Sequence, residues 1–180
     1  MNIKKNIIIM MILMVFLSGC GINTDVQDER KDKEFYIEDY GISLLVPKEW
    51  EECELESECD LYLTNGESYL GVMAYYLIDL PKEYTIERYY EIQNENFLSR
   101  RENVEIVEPQ KTISCEGKKI TTTMFSGERD GGKSYYYICL VTFDDNPDVF
   151  AYVLISAIPS KMLKQQEDML NIIKTMEYVG

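Results

Sequence analysis

Ile42, Leu44 and Val46 alternate with Ser43 and Leu45, the period-two pattern of a strand. Pro47 cannot donate to a ladder and ends it. Leu61 and Leu63 alternate next, Asn65-Gly66 marks a turn, and Tyr69–Ile78 is apolar and aromatic, so this region reads as a hairpin. Pro81 breaks the pattern. Thr85 then suits the N-cap of a helix running to about Arg101, with Ile86, Tyr89, Tyr90, Phe97 and Leu98 on its apolar side. A short strand follows at "QKTISC" and turns at Glu116-Gly117; "KKITTTMFSG", "KSYYYICLVTF" and "VFAYVLISAI" are three more. The last is apolar at nearly every position, as expected of a central strand covered on both faces. Pro159 stops it. Ser160 is expected to cap a final helix over about 160–176, whose apolar positions Leu163, Leu170, Ile173 and Met176 recur at helical spacing. Strand, hairpin, helix, several strands, helix predicts an α+β fold, a central antiparallel sheet of about five to seven strands flanked by helices.

The N-terminus obeys a different rule. Lys4 and Lys5 precede an unbroken apolar run of 11 residues, Ile7–Leu17. That is too short to span a bilayer and suits a secretory signal peptide. Leu17-Ser18-Gly19-Cys20 follows it and resembles the lipobox of bacterial lipoproteins. The resemblance implies cleavage before Cys20 and a diacylglyceryl group on its sulfur. One acyl chain anchors marginally, whereas two hold a protein at a membrane without a spanning helix. The expected organisation is a signal peptide over 1–19, a flexible acidic tether over 20–34, and one domain over 35–180. The expected location is the extracytoplasmic face of the cell membrane.

Composition narrows the chemistry. Removing Met1–Gly19, which holds two lysines and no acids, takes the net charge from −14 to −16. Such an acidic surface argues against nucleic acid. The chain has no histidine, which excludes Ser-His-Asp and Cys-His catalysis and His-ligated zinc. Besides Cys20 there are Cys53, Cys59, Cys115 and Cys139. Export permits disulfides. A hairpin with a three-residue loop would set Cys53 opposite Cys59, leaving Cys115 to Cys139; four reduced thiols, some of them core fillers, are the alternative.

"GERDGGKS", Gly127–Ser134, matches the phosphate-binding pattern G-x-x-x-x-G-K-[ST]. That motif works when a helix starts at its Lys-Ser and points its positive end at the phosphate. Here "YYYICLVTF" follows, a strand former, and "TTTMFSG" precedes. The segment reads as a hairpin turn at Asp130-Gly131-Gly132, and no nucleotide partner is expected. "KEWEECELESECD" holds seven acids, and "FDDNPD" adds Asp144, Asp145 and Asp148. Neither has the spacing of an EF-hand loop, so both read as solvated surface and no metal site is expected. There are 14 tyrosines. Most are expected in the core, with Tyr136 facing oppositely to Tyr135 and Tyr137.

The segment Tyr40–Trp50, a strand, a proline, two residues and a tryptophan, resembles the start of PsbP/Mog1-like domains. The similarity continues through the helix at 85–101, the antiparallel strands and "AIPSKMLKQQEDMLNIIKTMEY". It implies an α-β-α sandwich, and members of the family that bind other proteins. No family active site is implied. The expected function is a non-enzymatic, lipid-anchored binding or accessory protein contacting a protein or envelope component. The alternative is a carboxylate-based enzyme or a Ca²⁺-binding module.

Overall fold

A computed structural model describes residues 32–54 and 58–180. The leader, Cys20 and most of the expected tether lie outside the described residues. Lys31–Gly180 forms one compact unit.

Its strands are β1 (Lys33–Ile37), β2 (Ile42–Val46), β3 (Glu51–Glu52), β4 (Leu61–Thr64), β5 (Ser68–Tyr76), β6 (Glu102–Cys115), β7 (Lys118–Arg129), β8 (Gly132–Phe143), β9 (Val149–Ala157) and β10 (Glu177–Tyr178). Helix α1 spans Ile86–Leu98 and α2 spans Pro159–Lys174. Seven strands form an antiparallel sheet in the order β3-β4-β5-β9-β8-β7-β6, and β1-β2-β10 form a small second sheet. The α+β class and the central position of β9 are as the sequence predicts.

The sheet has two apolar faces because β9 alternates between two cores. Val149, Ala151, Val153 and Ile155 face one core with Trp50, Leu44, Met162, Met169, Ile172 and Ile173, which come from the small sheet, the turn after β2 and α2. Phe150, Tyr152 and Leu154 face the other, with Tyr90, Tyr136 and Ile138, under α1. The Pro–x–x–Trp start now has a physical reason. Pro47 ends β2, the Trp50 N–H donates to the Pro47 carbonyl at 3.0 Å, and the turn drops the indole into the first core.

The α1 interface is built from phenols. Tyr75 stacks on Phe150 at 5.4 Å between ring centroids, and Tyr89 meets both edge-on. The Tyr90 hydroxyl donates to the Ile138 carbonyl at 3.2 Å, and the Tyr152 hydroxyl donates to Asn94 Oδ1 at 3.0 Å. Such pairing offsets the cost of burying a hydroxyl. Thr85 caps α1 as expected, its side chain accepting from the Arg88 N–H.

Several expectations are corrected. Lys33 and Glu34, assigned to the tether, already pair with Val46 and Leu45 in β1. α1 ends at Leu98, short of Arg101. β6 is a 14-residue strand, longer than "QKTISC". α2 begins at Pro159, with Ile158 rather than Ser160 in the cap position. Proline suits the first helical turn because that N–H has no partner within the helix. Leu163 is 57% exposed; the buried stripe of α2 is Met162, Met169, Ile172 and Ile173.

The expected disulfides are also corrected. Glu52 pairs with Leu63, so Cys53 stands opposite Tyr62, and its N–H donates to the Tyr62 carbonyl at 3.0 Å. The loop is therefore longer than three residues, and Cys53 does not face Cys59. Cys59 Sγ instead packs over Gly71, 2.7 Å from where a Cβ there would sit. Cys115 pairs with Lys118, which pairs with Phe143, whereas Cys139 lies four residues further along β8. Two strand spacings and four residues separate them by roughly 16 Å, beyond the ~7 Å that a disulfide spans between Cα atoms. Cys53, Cys115 and Cys139 are free thiols, and Cys139 is fully buried. Burial pushes its pKa up.

Two outcomes follow. Tyr152→Phe strips Asn94 of its donor and should destabilise the domain by about 1–3 kcal/mol, whereas the double variant Tyr152→Phe/Asn94→Leu should recover most of that loss. Urea denaturation of the four proteins of the cycle measures it. Under iodoacetamide, read by peptide mass spectrometry, half-buried Cys115 should label in the native protein and Cys139 only after unfolding, because a buried, protonated thiol is a poor nucleophile.

Candidate functional site

An open cleft of about 500 Å³ lies where the end of α1 meets the β7–β8 turn and the β4–β5 turn. That volume falls in the range of small-ligand sites, about 300–1,000 Å³. One wall is apolar and aromatic: Phe97 from α1, Tyr136 from β8, Leu154 from β9, and Tyr62 and Tyr69 from β4 and β5. Tyr62 and Tyr69 stack at 6.0 Å, and Tyr69 is 43% exposed. Ile158, exposed at the start of α2, sits at the rim.

Two arginines enter this surface. Arg101 follows the last turn of α1. Its guanidinium carbon lies 3.2 Å from the Phe97 ring centroid and 4.6 Å from that of Tyr136, and the two rings meet edge-on at 5.1 Å. This is a cation wedged between two π faces. Its Nη1 donates to the Phe97 carbonyl, one of the carbonyls left over at the end of α1. Its Nε is buried with no hydrogen-bond partner among the described residues. Burial holds the Arg101 pKa below its ordinary value, and the neighbouring Tyr136 hydroxyl works the other way. Among the described residues Arg101 has no carboxylate partner. Gly127 makes room for this arrangement, since a Cβ there would lie 3.3 Å from Arg101 Cβ and 3.5 Å from Tyr136. Arg129 lines the cleft from the far side and pairs loosely with Asp130 at 3.6 Å, both exposed.

The stretch that resembles a P-loop forms part of this wall, with a different construction. Arg129 pairs with Gly132 across a two-residue turn, and Asp130 and Gly131 both have positive φ, 54° and 77°. Such a turn matches the twist of a hairpin. Ser134 lies within β8 and starts no helix, so the dipole that a P-loop aims at phosphate is missing at this place. Lys133 does not line the cleft; it lies 4.0 Å from Glu105.

A second, smaller hollow of about 220 Å³ lies beside α1 over β6, β7 and β8, lined by Gln110, Thr112, Lys119, Thr121 and Thr142, with Glu87 and Glu91 above. The Thr112 and Thr121 hydroxyls are 2.8 Å apart, and Glu91 is ion-paired with Arg88 at 2.9 Å. The acidic run at 49–60 is put to structural use at its end, where Asp60 accepts from the Ala74 N–H at 2.7 Å. Among the described residues no group of three or more Cys, Asp or Glu side chains is gathered to hold a metal. Cys53 and Cys115 lie in half-buried surroundings and Cys139 inside the first core, away from the cleft.

Sequence reasoning missed Arg101 and Arg129. The available signal was Arg100-Arg101 placed directly after an amphipathic helix in a chain with 18 basic and 32 acidic residues. Knowing that Arg101 lies against Tyr136, 35 positions away, required the pairing of β7 with β8.

No family model and no curated protein matches this chain. Solved structures do. Cyanobacterial PsbP from Synechocystis is similar with a TM-score of 0.60 at 11% identity, over 83% of this chain and 93% of that one. LpqN, involved in cell envelope biogenesis of Mycobacterium tuberculosis, gives 0.57 at 12% identity, over 83% and 91%. The Saccharomyces cerevisiae Ran-binding protein Mog1p gives 0.54 at 13% identity, over 83% and 96%. At these identities the likeness is one of fold: the chain has a PsbP/Mog1-like fold.

Proposed function

We propose that this chain is a lipid-anchored, extracytoplasmic binding protein, held at the membrane through Cys20, that uses the cleft between α1 and the β7–β8 turn to hold a partner. The cleft carries the reading. It is open, walled by aromatic rings and equipped with two arginines, and no cysteine of the described residues lines it. Aromatic and arginine side chains are the anchors on which binding surfaces concentrate their energy. Catalysis would need a placed acid, base or nucleophile. The acids at the cleft are engaged: Glu67 is tied to Lys161 and Gln165, and Asp130 lies beside Arg129. We therefore read the protein as non-enzymatic. The envelope role of LpqN, which shares the fold, is in keeping with an extracytoplasmic place. The lipobox-like Leu17–Cys20 supports the anchor. Among the described residues no helix is long and apolar enough to cross a membrane.

Replacing Cys20 with Ala tests the anchor. Fractionated cells should show the variant unprocessed by the lipoprotein peptidase and unlabelled by an alkyne fatty acid, whereas the parent chain takes up label in the membrane fraction. A variant that is still cleaved, labelled and retained would overturn the anchor.

A further inference from the structure

We infer that the cleft recognises a carboxylate carried on an apolar or aromatic body, with Arg101 and Arg129 receiving the carboxylate. This rests on the binding reading above and names its ligand class.

The charge balance comes first. The chain is strongly acidic, yet this cleft holds two arginines. Arg101 is the informative one. It is half-buried, has no anionic partner among the described residues, and keeps Nε unsatisfied. Partial burial of an uncompensated cation costs free energy, and the aromatic rings offset only part of it. An anion entering the cleft compensates the guanidinium charge, and guanidinium geometry favours planar two-oxygen acceptors. The same low-polarity wall strengthens the contact.

The neighbours narrow the anion. Glu67 and Asp130 both line the cleft, and hydrogen bonding from Lys161 lowers the Glu67 pKa, so it stays ionised. Each is paired, Glu67 with Lys161 and Asp130 with Arg129, so among the described residues the uncompensated charge at the cleft is that of Arg101, which a monoanion balances better than a phosphate dianion. Phe97, Tyr136, Leu154, Tyr62, Tyr69 and Ile158 supply apolar area for the rest of the ligand. Ser134 and Ser156 add neutral hydroxyls able to donate to the same carboxylate.

Two sources share this chemistry, the C-terminus of a peptide ending in an apolar residue and a small free acid. Calorimetric titration of the full chain in zwitterionic nanodiscs separates them, using N-acetyl-Ala-Ala-Phe, its C-terminal amide, phenylpropionate and phenyl phosphate. The free-acid peptide should bind at least about tenfold more tightly than its amide, and phenyl phosphate should bind no more tightly than phenylpropionate. A peptide source predicts the tripeptide acid ahead of phenylpropionate; a free-acid source predicts the two level. Arg101→Gln keeps a side-chain N–H for the Phe97 carbonyl but removes the charge, and should cancel the preference for acid over amide. Ile158→Glu, at an exposed position, adds a rim charge and removes apolar area, and should weaken the acids about fivefold more than it weakens the amide. Thermal unfolding of both variants controls for folding. Equal affinity for acid and amide, no heat from either acid, or an acid preference that survives Arg101→Gln overturns the inference. Cross-linking of an envelope partner to this face in intact cells, alongside such a result, would sink the ligand class and leave the binding reading standing.

Discussion

The structure depends on β9 being hydrogen-bonded on both edges and apolar on both faces. It pairs along its length with β5 on one side and β8 on the other. Each backbone polar group thus has a partner within the sheet, which lets the strand lie where no water reaches. Its side chains then become the floor of two cores. The helices follow from this. Isolated helices of 13 and 16 residues are marginal in water. Each persists because β9 and its neighbours offer it an apolar surface.

The two faces are covered by different chemistry. Under α2 the core is mainly aliphatic and thioether, with Trp50, Tyr137 and Phe143 among it, and the helix end is closed by Lys118, which is buried and donates from Nζ to the Lys174 carbonyl at 2.7 Å. A cation at that end also complements the helix dipole. Under α1 the contacts are tyrosines, whose hydroxyls need specific acceptors. Asn94 and the Ile138 carbonyl provide them. These directional bonds set how α1 lies on the sheet. Where α1 stops therefore decides where Arg101 meets Tyr136. The candidate site is a by-product of helix registration.

Much of the fold was legible in the chain. The alternation at 42–46, the turn residues at Asn65-Gly66, Glu116-Gly117 and Asp130-Gly131, the Thr85 cap and the doubly apolar β9 each state a local rule with one answer. What was not legible depended on distant partners. Lys33–Ile37 reads as polar because only one side of that strand is buried, and its place is settled by pairing with β2. In the first half of β6 Val104 and Ile106 alternate with Glu105 but stay exposed, and the strand's extension comes from β7 alongside it. The cysteine arrangement failed on loop length, since a shift of three in register moved Cys53 from Cys59 to Tyr62. The cleft failed for the same reason: its walls come from elements far apart in sequence. Nothing local marks Arg101 as different from Arg100.

β6 is the free edge of the large sheet, 14 residues long and mostly exposed. Its pairing with β7 is interrupted in three places, between Glu102 and Glu105, Ile106 and Glu108, and Glu108 and Lys111, and it carries Pro109 and several charges. An uninterrupted edge of that length is a template for another chain. The kinks of β6 break that template, so copies that meet edge to edge do not zip into a shared sheet.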